Sequence, residues 1–158
     1  MAEGFTQQVD NLTTGAALKS DRANVYGIGG KVGFSGVELV GYYYNGEGVG
    51  TTALLNGGFS ATGNQRDSDG GYVQASFVIP GVKTKLAGSW GISNLDRASG
   101  EVGNNTLVSS NEMWTIGAYH PLTSNLNLVA EYSNVRAENQ VGARNTSDIV
   151  DFGAILFF

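Results

Sequence analysis

Three features of the sequence predict an all-β fold, an antiparallel up-and-down transmembrane β-barrel with about seven to eight strands in this chain. Apolar residues alternate with polar ones, and no informative window repeats with helical spacing. Tight turns alternate with long polar connections, as they do on the two sides of a bacterial outer-membrane barrel. Aromatic residues on the apolar side lie at similar distances from the tight turns, which is typical of a membrane-interface girdle.

The N-terminal segment, residues 1–22, is expected to be an extra strand or a loop. Its alternation is weak, with candidate positions Phe5, Gln7, Val9 and Asn11, or Ala16 and Leu18. Residues 23–158 are expected to supply about seven strands, whereas single-chain bacterial barrels have an even number. Either residues 1–20 supply an eighth strand, or a second copy is needed to close the sheet.

The later strands are predicted as hairpins joined by tight turns at Ser35-Gly36, Pro80 to Lys83 and Pro121 to Asn125. The connections on the other side, roughly 45–70, 94–111 and 135–147, are polar and rich in Gly, Asn, Ser and Asp. The last strand runs to Phe158. It places on one face the side chains of Val150, Phe152, Ala154, Leu156 and Phe158.

Alternation assigns each strand residue to an apolar or a polar face. On the apolar face, the expected aromatic girdle consists of Tyr43, Trp90, Trp114 and Tyr132. The polar face is expected to line the interior and carries Lys31, Glu38, Tyr42, Tyr44, Gln74, Lys85, Ser89, Thr115, Tyr119, Asn127, Glu131 and Asp151. This lining is mixed in charge, so Glu131 and Asp151 are interpreted as wall polarity and not as an acid-base pair.

The composition excludes several classes of protein. The chain has 158 residues, the size of one domain, and no Cys, which excludes a disulfide scaffold and thiolate chemistry. Its net charge is -5 with no basic run, so nucleic acid is not an expected partner. No apolar stretch is long enough for a membrane-spanning helix, and no export signal is expected in Met1 to Phe5.

Catalysis and metal binding are not expected. His120 is the only His, and alternation places it on the apolar face beside a tight turn. The segment Asp67 to Gly70 has a passing likeness to a calcium loop, but Val78 stands where an EF-hand requires Glu. The glycines at 27–30 lie within a strand and do not open a helix, which argues against a nucleotide site.

The residues at 114–132 resemble the penultimate hairpin of general Gram-negative porins, and those at 153–158 resemble the closing strand. The segments 26–30, 41–44 and 66–74 are also similar to porin segments, so the resemblance covers about 23–158 and is most specific at the C-terminus. It implies an outer-membrane channel for passive diffusion of small hydrophilic solutes, without catalysis or cofactor.

The same resemblance implies partners and roles. Lipid, lipopolysaccharide, the barrel-assembly machinery and sibling copies in a trimer would be the partners. The alternating residues from Val150 to Phe158 would be the signal that the assembly machinery reads. A porin of about sixteen strands needs about twice this length, so the chain would correspond to the C-terminal half. The constriction loop belongs to the other half, and selectivity residues cannot be transferred.

Two alternatives remain open from the sequence. An eight-stranded barrel is just wide enough for its own side chains to fill, and would have a structural or ligand-binding role without an open pore. A soluble β-sandwich or lectin-like binding module would bury the apolar face between two sheets.

Overall fold

A computed structural model describes residues 1–14, 17–51, 56–104 and 106–158. The strands are β1 (Ala2–Thr14), β2 (Ala17–Phe34), β3 (Val37–Glu47), β4 (Asp67–Val78), β5 (Lys85–Leu95), β6 (Val108–Pro121), β7 (Leu126–Asn139) and β8 (Arg144–Leu156). They form one eight-stranded sheet in chain order, and each strand is antiparallel to the next. The all-β, up-and-down prediction is confirmed.

The N-terminal segment supplies the eighth strand. Phe5 pairs with Val25, and the pairing of β1 with β2 shifts between Val9 and Leu12. The predicted division between residues 1–22 and 23–158 falls inside β2, while Ala16 lies outside the described residues. The weak alternation of β1 reflects its composition, because polar Thr6 and Gln8 share a face with Ala2 and Gly4.

The sheet is open. β1 and β8 are its two edges, and within the described residues they do not pair with each other. Closure into a barrel and passage through a membrane therefore remain predictions. Among the same residues, no helix is long and apolar enough to cross a membrane.

Tight connections join the strands at one end, called here the turn end. Ser35 and Gly36 connect β2 to β3 with positive φ angles of 49° and 83°. The connection from β4 to β5 has Gly81 at 83° and Lys83 at 61°. The backbone therefore reverses at these points in the left-handed region, which Gly36 and Gly81 occupy without strain.

The opposite end, called here the loop end, has long connections at 48–66 and 96–107, but the predicted long loop at 135–147 is wrong. β7 and β8 continue through most of that segment and meet at a short connection, 140–143. Arg144 Nε donates to Glu138 Oε2 at 2.6 Å across the two strands. The polar residues here belong to strands that extend beyond the apolar region, so their polarity does not indicate a loop.

Buried apolar side chains are concentrated at the loop end. Of the described residues, the buried hydrophobic ones are Ala23, Val49, Leu95 and Ala98. They lie where the connections 48–66 and 96–107 meet the ends of the strands. The body of the sheet has no comparable core.

Candidate functional site

One face of the sheet is apolar and exposed. Pairing places Val73 beside Trp90 and Trp90 beside Trp114 on this face. Trp90 is 42 % exposed, Leu128 41 % and Phe152 81 %. The described strands form a single sheet, whereas a β-sandwich would bury such residues between two sheets. The structure therefore gives no support to the soluble sandwich.

The predicted girdle residues share this face and lie close to one row. Trp90 and Trp114 are directly paired. Tyr43 pairs with Gly71 in the next apolar-face row toward the loop end, and Tyr132 pairs with Ile116 in the next row toward the turn end. The Trp114 and Tyr132 rings have centroids 5.3 Å apart. These side chains thus form an aromatic band across β3 to β7.

The apolar face becomes polar on the loop-end side of this band. Trp90 Nε1 donates to Glu112 Oε1 at 2.7 Å, and Tyr132 Oη donates to Asp148 Oδ1 at 2.8 Å. Asn134 Nδ2 also donates to Asp148 Oδ1, at 2.7 Å. Trp90 and Tyr132 therefore lie on the apolar face with their polar groups hydrogen-bonded to carboxylates, the arrangement that amphipathic rings adopt at a membrane interface.

Four of the five alternating residues at the C-terminus, Val150, Phe152, Ala154 and Leu156, lie on the apolar face of β8. The strand ends at Leu156, so the prediction that it runs to Phe158 is wrong by two residues. Val150, Phe152 and Leu156 are 61 %, 81 % and 62 % exposed.

The predicted lining residues all fall on the opposite face, called here the polar face. Cross-strand register shows this directly, since Lys31 is opposite Val40, Val40 opposite Gln74, and Gln74 opposite Ser89. Continuing the same row, Ser89 is opposite Thr115. A separate row contains Glu131 and Asp151, which are directly paired between β7 and β8.

Several charged side chains on the polar face interact with neighbouring side chains. Lys31 Nζ lies 2.6 Å from Glu38 Oε2. Lys85 Nζ is 5.0 Å from the centroid of the Tyr119 ring, and the Tyr119 hydroxyl donates to Glu131. The face is therefore polar and mixed in charge.

Tyrosines lie against glycines on the polar face. The ring centroids of Tyr42 and Tyr44 are 6.5 Å apart, and those of Tyr42 and Tyr72 are 6.0 Å apart. A Cβ on Gly27 would collide with the Tyr42 hydroxyl, so glycine makes room for the ring. The Tyr42 hydroxyl donates to Glu3 Oε1 at 2.6 Å, which connects β3 to the edge strand β1.

The described parts of the connection 48–66, called here the strap, fold over the polar face at the loop end. Lys19 Nζ donates to the carbonyl of Gly63 at 3.0 Å. Ser93 Oγ donates to the carbonyl of Thr51 at 3.4 Å. Lys19 and Ser93 belong to β2 and β5, so the strap crosses β3 and β4.

A buried ion pair holds the strap. Arg66 Nε and Nη2 donate to the two carboxylate oxygens of Glu101 at 2.8 and 2.5 Å, and the side chains are 8 % and 14 % exposed. Arg66 Nη1 also donates to the carbonyls of Gly57 and Phe59. The hydrogen bonds from Arg66 Nε and Nη2 to its carboxylate lower the pKa of Glu101 below its ordinary value.

Sequence reasoning missed this pair. Arg66 is the first residue of the porin-like segment 66–74, and Glu101 lies in a polar stretch with no motif. The available signal was local: a single Arg follows the glycine-rich stretch 46–58 and directly precedes β4. That signal indicates that an arginine stabilises the loop. It does not identify Glu101 as the partner, because Glu101 is distant in sequence.

Metal-site geometry is not seen in the described ranges. No group of three or more His, Asp or Glu side chains there is placed to hold a metal ion. The His120 Nδ1 lies 2.9 Å from Thr84 Oγ1 at the turn end. This contact joins a strand to a neighbouring turn.

Comparisons with protein-family models, curated proteins and solved structures find no match. The likeness to porins therefore stays a prediction from the sequence.

Proposed function

We propose that the chain forms the wall of a porin-type channel in a bacterial outer membrane and lets small hydrophilic solutes diffuse passively. The observation that carries this proposal is the division of the sheet into two faces. The apolar face is exposed and ends at an aromatic band and a polar rim, while the other face carries charged and hydroxyl side chains. Soluble monomers rarely expose so large an apolar surface.

The open edges are part of the proposal. Unpaired backbone groups in hydrocarbon cost several kcal/mol each, so β1 and β8 must find partners in a membrane. Strands outside this sequence, or sibling copies, would complete a barrel of about sixteen strands, which encloses an aqueous channel. Contacts with lipid, lipopolysaccharide and the barrel-assembly machinery, and assembly into trimers, belong to the same proposal.

The second candidate is a small closed barrel without an open pore. It is favoured by one specific observation, the strap that covers part of the polar face. If β1 paired with β8 directly, eight strands would enclose an interior that side chains and strap would fill.

Conductance with site-directed cysteines tests the proposal, and the absence of native Cys makes the labelling specific. Thr115→Cys places a thiol on the polar face, and its neighbour Ile116→Cys places one on the apolar face. In planar bilayers we expect stable steps of conductance. A charged thiol reagent should reduce the conductance of Thr115→Cys and leave that of Ile116→Cys unchanged. Silence from protein whose insertion is shown by protease protection would favour the small closed barrel. Equal reduction for both variants would contradict the assignment of faces.

A further inference from the structure

A cavity lies between the strap and the wall of the sheet. It has a volume of about 550 Å³ and is bounded by β1, β2, β3 and β5 and by residues 49–51 of the strap. Small-molecule sites in proteins have volumes of ~300–1,000 Å³ and combine apolar walls with a few convergent polar groups. The cavity is therefore large enough for a small organic ligand.

Its walls are aromatic and aliphatic. The rings of Phe5, Tyr42 and Tyr44 line it, together with Val25 and the buried Val49. Aromatic faces carry negative electrostatic potential and attract cations within ~6 Å of the ring centroid. The walls thus suit a group that is apolar on its surface and positive in charge.

The polar groups in the cavity have the matching sign. Glu3 is the one carboxylate among the described lining residues, and no Lys or Arg is among them. The hydroxyls of Tyr44 and Ser93 are hydrogen-bonded to each other, and Tyr42 donates to Glu3. Because the carboxylate still has acceptor capacity, an anion would be repelled while a cation would gain an ionic contact.

We propose that this cavity binds a small organic cation, of the quaternary ammonium or alkylammonium class, with Tyr44 and Phe5 supplying aromatic contacts and Glu3 the charge. The inference does not depend on pore formation, because the cavity needs only the strap and the adjoining strands. Hydrated inorganic ions fit it less well, since aromatic walls do not replace their oxygen ligands.

The test is calorimetric titration of the full chain in a polyoxyethylene detergent, which contains no ammonium group and no sugar. The probes are choline and its neutral isostere 3,3-dimethylbutan-1-ol. We expect saturable binding of choline that is about tenfold tighter than binding of the isostere, since only choline gains the aromatic and carboxylate attraction. This comparison needs no variant. Absence of saturable choline binding, or equal affinity for both probes, would overturn the proposal.

Variants then locate the site. Glu3→Gln and Tyr44→Leu should each weaken choline binding about fivefold. Asp151→Asn changes the same charge on the same face away from the cavity, and Tyr72→Leu removes a nearby ring that does not line it. Both controls should bind choline as the parent does. Equal affinity in Glu3→Gln, Tyr44→Leu and the controls would reject this cavity, and the far-ultraviolet circular dichroism of each variant verifies folding.

Discussion

The loop end and the turn end of the sheet are stabilised in different ways. At the loop end, Val49 and Leu95 are buried and the Arg66–Glu101 pair is almost enclosed by protein. Toward the turn end, Phe34 is 84 % exposed and Phe152 81 % exposed, with tight turns between the strands. The loop end therefore has a small core of its own, whereas the apolar side chains of the sheet body stay exposed.

The difference between the two ends shows which part of the chain is stabilised by contacts within the chain itself. A sheet with an exposed apolar face gains little hydrophobic stabilisation in water, because that surface stays hydrated. Transfer of the same face from water into hydrocarbon would supply this hydrophobic stabilisation. The strap, by contrast, should keep its structure in either environment as long as its ion pair is intact.

The largest expected effect comes from removing one partner of the buried pair. Arg66→Met leaves the Glu101 carboxylate without its main partner, and such losses cost about 3–5 kcal/mol. We expect the strap to open while the strands stay paired, measured as faster hydrogen exchange confined to 48–66. Arg144→Met is the control, because the Arg144 side chain is 56 % exposed in its pair with Glu138 and the loss should be below ~1 kcal/mol. Unchanged exchange in Arg66→Met would contradict the account of the loop end.

A smaller effect distinguishes the two faces of the strand body. Leu39 and Val40 are adjacent aliphatic residues of β3 on opposite faces. Leu39→Arg should cost about 2–4 kcal/mol in lipid, since the proposed insertion would place this arginine, near the middle of the apolar face, in hydrocarbon. Val40→Arg faces the polar side and should cost much less. Urea unfolding of both variants in lipid vesicles measures the difference, and equal losses would contradict the assignment of faces.

The smallest effect is a pH dependence of the strap. Arg66 holds the pKa of Glu101 below its ordinary value, so the opened strap binds more protons than the closed one. Stability from this group is therefore complete above the ordinary carboxyl pKa of ~4.3 and is lost as the pH falls through the lower folded value. Exchange of strap amides, corrected for intrinsic rates, should stay constant from neutral pH to about pH 5 and rise in stronger acid. A rise already between pH 7 and 5 would contradict this assignment.

Strand faces could be predicted because alternation is a local property. Trp90, Trp114 and Phe152 lie on the predicted face, and register confirms that they share it. Strand β1 was harder because its polar Thr6 and Gln8 lie on the same face as the apolar residues of β2. A single alternation rule therefore does not describe this edge strand.

The strap and the last connection could not be predicted for different reasons. The Arg66–Glu101 contact spans 35 positions, and no local pattern encodes such a pairing. The polar segment 135–147 has the composition of a loop, but its residues pair along β7 and β8. Composition reports solvent exposure in that segment, whereas hydrogen bonding decides whether a strand forms.

The even number of strands has a geometric consequence for the edges. Because each strand reverses the direction of the one before it, β1 and β8 run oppositely. Their outward-facing amides and carbonyls can therefore form an antiparallel ladder with each other, either around one chain or between repeated chains placed head to tail in a ring. In any cyclic arrangement of this eight-stranded unit, every junction between β8 and β1 would have the same antiparallel backbone hydrogen bonding.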